Sequence, residues 1–104
     1  MKSDVDTYDY VIVGAGSAGC ILANRLSSCG KYSVCVLEAG PKDWHPMLYI
    51  PAGFIKTLVN PRFNWMYSSE PSAGTNGRPI PAPRGKVLGG SSSINGMGFN
   101  RGQK

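Results

Sequence analysis

Residues 8–19 read Tyr-Asp-Tyr-Val-Ile-Val-Gly-Ala-Gly-Ser-Ala-Gly. The run 8–13 is rich in β-branched and aromatic residues and stops at Gly14, which predicts a short, buried parallel strand. Gly14, Gly16 and Gly19 then follow the spacing of a dinucleotide-binding turn. One glycine makes the turn, one lets the backbone approach a pyrophosphate, and one lets the next helix close on the strand. Working outward, Ala18, Gly19, Ile21, Leu22, Ala23 and Leu26 recur at helical spacing, with Asn24 and Arg25 toward water and Cys29-Gly30 as a stop. A second strand is predicted over 33–37. Glu38 stands at its carboxyl end, in position to accept hydrogen bonds from a ribose diol. A carboxylate there repels a 2′-phosphate, which leaves NAD or the ADP half of FAD as the ligand.

The far end of the chain carries an independent signal. Residues 84–102 include Arg84, Gly85, Lys86, Gly89, Gly90, Ser91, Ser92, Ser93, Ile94, Asn95, Gly96 and Met97. Missing side chains let this backbone come close to a flat, charged ligand with its N–H groups outward. The serines are good N-cap residues, so the segment is expected to open a helix whose positive end faces an anion.

Between these ends, 39–83 is rich in proline and has little sustained periodicity, so it reads as a loop-rich extension with short elements. A short helix is expected over 51–59, with Pro51 in its first turn, Phe54, Ile55 and Leu58 on one face, and Asn60-Pro61 ending it. A short strand is expected over 64–68 and a turn at Gly74, Asn76 and Gly77. Trp65 and Tyr67 read as packing residues.

Composition excludes several classes. Eleven Lys and Arg against six Asp and Glu give a net charge of +5. The basic residues are scattered, without the clustered helix face or interleaved aromatics of a nucleic-acid surface. Cys20, Cys29 and Cys35 lack the spacing of a disulfide framework or zinc site, and buried or inert thiols in a reducing compartment are expected. Residues 1–7 show no export signal and no apolar run approaches a membrane span, so a cytoplasmic location without membrane attachment is expected. His45, the single histidine, reads as a loop residue without chemistry.

The chain resembles the amino-terminal part of the glucose-methanol-choline family of FAD-dependent oxidoreductases, nearest its choline-dehydrogenase-like branch. The likeness runs through 8–19, Leu37-Glu38-Ala39-Gly40-Pro41, Asn64-Trp65 with Tyr67, Glu70-Pro71, and 84–102. It implies an α/β chain: a Rossmann-like FAD-binding βαβ unit over 8–38, the extension over 39–83, and a second flavin-binding segment over 84–102, incomplete relative to the full family fold. By the same likeness Gly14, Gly16, Ser17 and Gly19 contact the FAD pyrophosphate, Glu38 binds the adenosine ribose and Gly40 closes that pocket. Arg84, Gly89, Gly90, Ser91, Asn95, Gly96 and Met97 line the path from pyrophosphate to isoalloxazine. Some relatives attach the flavin through a histidine just before the asparagine of this signature. Ile94 stands there, which implies non-covalent FAD.

The resemblance implies oxidation of a primary alcohol by hydride transfer to FAD in a complete enzyme. Its base is a histidine near the carboxyl end of much longer relatives, which no residue here matches, so no catalytic residue is assigned and these 104 residues alone are expected to be inactive. The small alcohol substrate belongs to that complete enzyme. With unpaired sheet edges, the chain is expected to associate with itself or with the remainder of the flavoenzyme. Two other readings stay open. One is an NAD-dependent dehydrogenase segment, supported by the same glycines and Glu38 but not by 84–102. The other is a non-catalytic remnant or interaction module that binds neither cofactor.

Overall fold

A computed structural model describes residues 6–103. Residues 1–5, most of the stretch read for an export signal, and Lys104 lie outside the described residues. The first unit is the expected one: β1 (Tyr10–Val13), α1 (Ser17–Ser27) and β2 (Val34–Leu37), with β1 and β2 parallel and Tyr10 opposite Val34 through Val13 opposite Leu37. Gly14 N–H donates to the Leu37 carbonyl at 2.7 Å, carrying the ladder into the turn. At the other end the Asp9 carboxylate accepts from the Ser33 N–H at 2.7 Å and its hydroxyl at 2.8 Å, which sets the register. Gly30, at φ +67°, follows the end of α1 as its neighbours in sequence lead one to expect.

Burial departs from expectation. Val13 is 84% exposed and Val11, Leu37, Ile21 and Leu22 are also exposed, so neither strand is the buried strand its composition indicates. A parallel sheet needs cover on both faces. Here one helix covers a two-stranded sheet, and among the described residues no strand pairs with its outer edges. All three thiols are free, with Cys20 and Cys29 exposed and Cys35 half-buried.

The hydrophobic core lies instead where the extension meets the carboxyl-terminal segment. Phe63, Val87 and Ile94 are buried together, with Leu48 and Leu58 packed against them. Pro51–Gly53 forms a 3₁₀ turn that runs into α2 (Phe54–Leu58), so the expected helix is present but starts tighter. Ile55 is exposed, and Thr57 is the buried residue of that helix, donating its hydroxyl to the Phe54 carbonyl at 3.0 Å. β3 (Tyr67–Ser68) pairs antiparallel with β4 (Pro81–Ala82), and a bridge between Asn64 and Gly85 continues the pairing. The turn between them bends at Asn76 and Gly77, both with positive φ. Residues Gly90–Ser93 form one 3₁₀ turn, not the start of an α-helix. Gly89 and Gly90 both hold positive φ there, which breaks the helical path before the serines can cap it. Among the described residues no helix is long and apolar enough to cross a membrane, and no group of metal-binding side chains occurs.

Candidate functional site

The turn after β1 is held from three sides. Gly14 takes φ +95°, a left-handed conformation that side chains disfavour. A methyl group at Gly19 would lie 1.9 Å from the Gly14 carbonyl oxygen, so α1 sits on the turn as closely as only glycine permits. Ala15, 1% exposed, is the hub. Its N–H donates to Glu38 Oε2 at 2.7 Å, and its carbonyl accepts from the Gly89 N–H at 2.7 Å and from the Cys20 thiol at 3.2 Å.

Glu38 fastens this turn to the loop after β2. Its Oε1 accepts from the Gly40 N–H at 2.9 Å. Gly40 packs so tightly on the Lys86–Val87 peptide that a methyl group there would come within 2.1 Å, and Leu88 N–H donates to the Pro41 carbonyl at 3.0 Å. Both carboxylate oxygens of the residue expected to meet a ribose therefore already accept one backbone hydrogen bond each, and each keeps a further lone pair.

The second glycine-dense segment lies on the first. A methyl group at Gly90 would sit 2.8 Å from the Gly16 Cα, and the Ser17 and Ser92 hydroxyls are hydrogen-bonded at 2.5 Å. Gly85 N–H donates to the Ser91 hydroxyl at 3.0 Å. These contacts leave one crevice of about 340 Å³, walled by Val13, Gly14 and Gly16, by Leu37, Glu38 and Ala39, and by Trp65, Arg84, Gly85, Gly90 and Ser91. That volume is at the lower end of small-ligand sites, about 300–1,000 Å³. No protein atom lies within 4 Å of a methyl group placed on Gly16, and its φ of −77° is ordinary. Internal packing does not require glycine there. Glycine there keeps the crevice wall free of a side chain, and the same wall carries one guanidinium, of Arg84, and one carboxylate, of Glu38.

The expected site residues divide into two groups. Gly14, Gly16, Glu38, Arg84, Gly90 and Ser91 border the crevice, with Ser17, Gly19, Gly40 and Gly89 bracing it from behind or beside. Asn95, Gly96 and Met97 lie elsewhere. Asn95 and Met97 border a smaller hollow of about 90 Å³ against Met47, Tyr49 and Phe54, and Gly96 faces the Phe54 ring. Ile94 is buried between these groups in the core.

Trp65, expected to be a packing residue, packs on its neighbours and also faces the crevice. It is 41% exposed, borders the crevice, stacks on Tyr67 with centroids 5.9 Å apart, and carries the Lys86 ammonium 4.8 Å from its ring. It lies just before the two-residue β3, outside any strand. His45 accepts the Met47 N–H on Nδ1 at 3.2 Å and sets its ring edge-on to Phe63, a loop-capping position.

Residues 8–104 match the family model described as GMC oxidoreductase. This chain belongs to the GMC oxidoreductase family. An oxygen-dependent choline dehydrogenase from Rhizobium johnstonii is 56% identical over 94 residues, which cover 90% of this chain and 17% of that protein. Pyridoxine 4-oxidase from Mesorbium loti superposes with a TM-score of 0.81 at 41% identity, over 92% of this GMC chain and 19% of the other. An FAD-dependent oxidoreductase from Chaetomium thermophilum gives a TM-score of 0.72 at 32% identity, over 94% and 16%. The chain thus spans less than a fifth of the length of these relatives.

Proposed function

We propose that the crevice between the two glycine-dense segments binds FAD non-covalently, and that the chain serves as the cofactor-holding amino-terminal segment of a flavoprotein that oxidises a primary alcohol. The observation that carries this reading is the packing of Gly90 on Gly16 beside Glu38. Gly14, Gly16 and Ser17 would take the pyrophosphate with Arg84 supplying positive charge, and Gly19 would let α1 close on that turn. The free lone pairs of Glu38 would take the adenosine ribose, with Gly40 closing the pocket. Gly89, Gly90 and Ser91 would lead toward the ring system, and Asn95, Gly96 and Met97 would meet its reactive edge. Bound flavin supplies a hydride acceptor, and this chain's residues supply position and electrostatics.

Ile94 supports non-covalent binding, because the position used for attachment in some relatives is a core residue here. Trp65 offers an aromatic face at the crevice wall that sequence reasoning did not assign. An NAD site needs only the first turn and Glu38, and leaves the engagement of 89–91 without a purpose. The names of the relatives point to alcohols as substrates. FAD is added to purified protein, the excess is removed, and the visible spectrum is recorded. Retained flavin absorbance supports the reading, while a colourless protein that binds NAD overturns it.

A further inference from the structure

Asn64 is 3% exposed and all of its bonding is internal. Its Nδ2 donates to the Leu58 carbonyl at the end of α2. Its Oδ1 accepts from two backbone N–H groups at once, Met66 at 3.0 Å and Arg84 at 3.0 Å. The Trp65 N–H in turn donates to the Arg84 carbonyl at 2.9 Å. One amide oxygen thus joins the backbones on either side of Trp65 and at Arg84, and both of those residues border the crevice. Met66 holds a left-handed φ of +57°, uncommon for a residue with a side chain, and the bond to Asn64 holds it there.

The two halves of the amide do different work. The donor half ties α2 to the core and is structural. The acceptor half sets the spacing between an aromatic face and a guanidinium, the two features of the crevice that distinguish an aromatic phosphate ester from a simple anion. We propose that Asn64 is a positioning residue for the crevice, fixing Trp65 and Arg84 at the separation that admits the cofactor. This role rests on the reading of the crevice as an FAD site.

The test uses the full chain with Asn64→Ala and Asn64→Asp, in a Trp44→Phe background so that emission reports Trp65 alone. Each protein is titrated with FAD below its own melting temperature. Asn64→Ala removes both halves. It is expected to bind at least about tenfold more weakly while still folded, the equivalent of one lost buried hydrogen bond. At saturating FAD it is also expected to quench Trp65 less, which a loss of stability alone does not produce. Asn64→Asp keeps an accepting oxygen but sets another against the Leu58 carbonyl. It is expected to melt lower yet keep affinity within about threefold and the parent's quenching.

If Asn64→Ala binds within threefold of its parent with unchanged quenching, Asn64 is only an anchor and the proposal is overturned. If the parent takes up no FAD, the cofactor reading fails and this role falls with it, a result distinct from a loss confined to the variant. Should Asn64→Ala not fold, Asn64→Ser, whose shorter hydroxyl cannot reach both N–H groups, takes its place with the same supporting and overturning results.

Discussion

Gly90 lies so close to Gly16 that a single methyl group on it would come within 2.8 Å of the Gly16 Cα. Gly90 also holds φ +62°. Gly90→Ala therefore meets a steric and a conformational penalty together, and a loss of about 1–3 kcal/mol is expected. Urea unfolding measures it, and flavin retention by the surviving folded protein is expected to fall as the crevice is pushed open. A variant with parental stability and parental flavin content would show that the two segments do not need this approach.

Glu38 gives one oxygen to Ala15 and the other to Gly40. Glutamine keeps one acceptor and turns an NH₂ group toward the other backbone N–H. Glu38→Gln is expected to lose about 1.5–3 kcal/mol, as for hydrogen bonds to a charged partner. Glu38→Ala is expected to lose at least as much. Equal denaturant midpoints for all three proteins would mean that these bonds contribute nothing to the folded state.

Ile94 is 2% exposed beside Phe63 and Val87. Ile94→Val is expected to cost about 0.5–1.5 kcal/mol and Ile94→Ala about 2–5 kcal/mol. The graded series, read from denaturant midpoints, tests whether this small core and not the βαβ unit carries the stability. A flat series would place it elsewhere.

The Asp9 carboxyl titrates below the ordinary carboxylate range because the Ser33 backbone N–H, and then its hydroxyl, stabilise the ionised form. A depressed folded value means that the contribution is present above the unfolded pKa, about 3.9, and is lost as pH falls through the folded one. Wild type is expected to melt above Asp9→Asn at neutral pH, and the gap is expected to close on acidification. A gap that widens toward low pH would reverse the sign and refute the assignment.

Val13 and Leu37 end the paired strands with their side chains in solvent, and no described strand covers the outer edges. Unpaired edges recruit other strands. Size-exclusion chromatography across a concentration series is expected to show association, whereas a monomer with a cooperative melt would count against it.

The βαβ unit was legible because its signals are local: a strand-like run, three glycines at fixed spacing, helical apolar recurrence and an acid after the second strand. The meeting of its turn with 84–102 was legible only through chemistry, since both segments suit the same kind of ligand. Burial was not legible. Composition reports what a strand is built to pack against, and Val11 and Val13 are built for neighbours that no described residue supplies. The serines at 91–93 misled in another way: residue preference suggested a cap, but two successive left-handed glycines decided the local path. Trp65 depended on Tyr67, in a two-residue strand, and on Lys86, brought beside it by the Asn64–Gly85 bridge, signals too short for periodicity to reveal. The core residue Phe63 lay in a stretch without periodicity, so only tertiary contact could pick it out.

The hydroxyl pair of Ser17 and Ser92 joins residues 75 positions apart. A ribosome adding about 5–20 residues per second exposes the first turn several seconds before its partner exists. The nascent βαβ unit must therefore wait with its glycine turn uncovered until the later segment arrives. Contacts so distant in sequence lose chain entropy before they gain anything in return, so they form after local ones. The crevice is thus a late product of folding, and a chaperone that shields the early strands would act before its second wall exists.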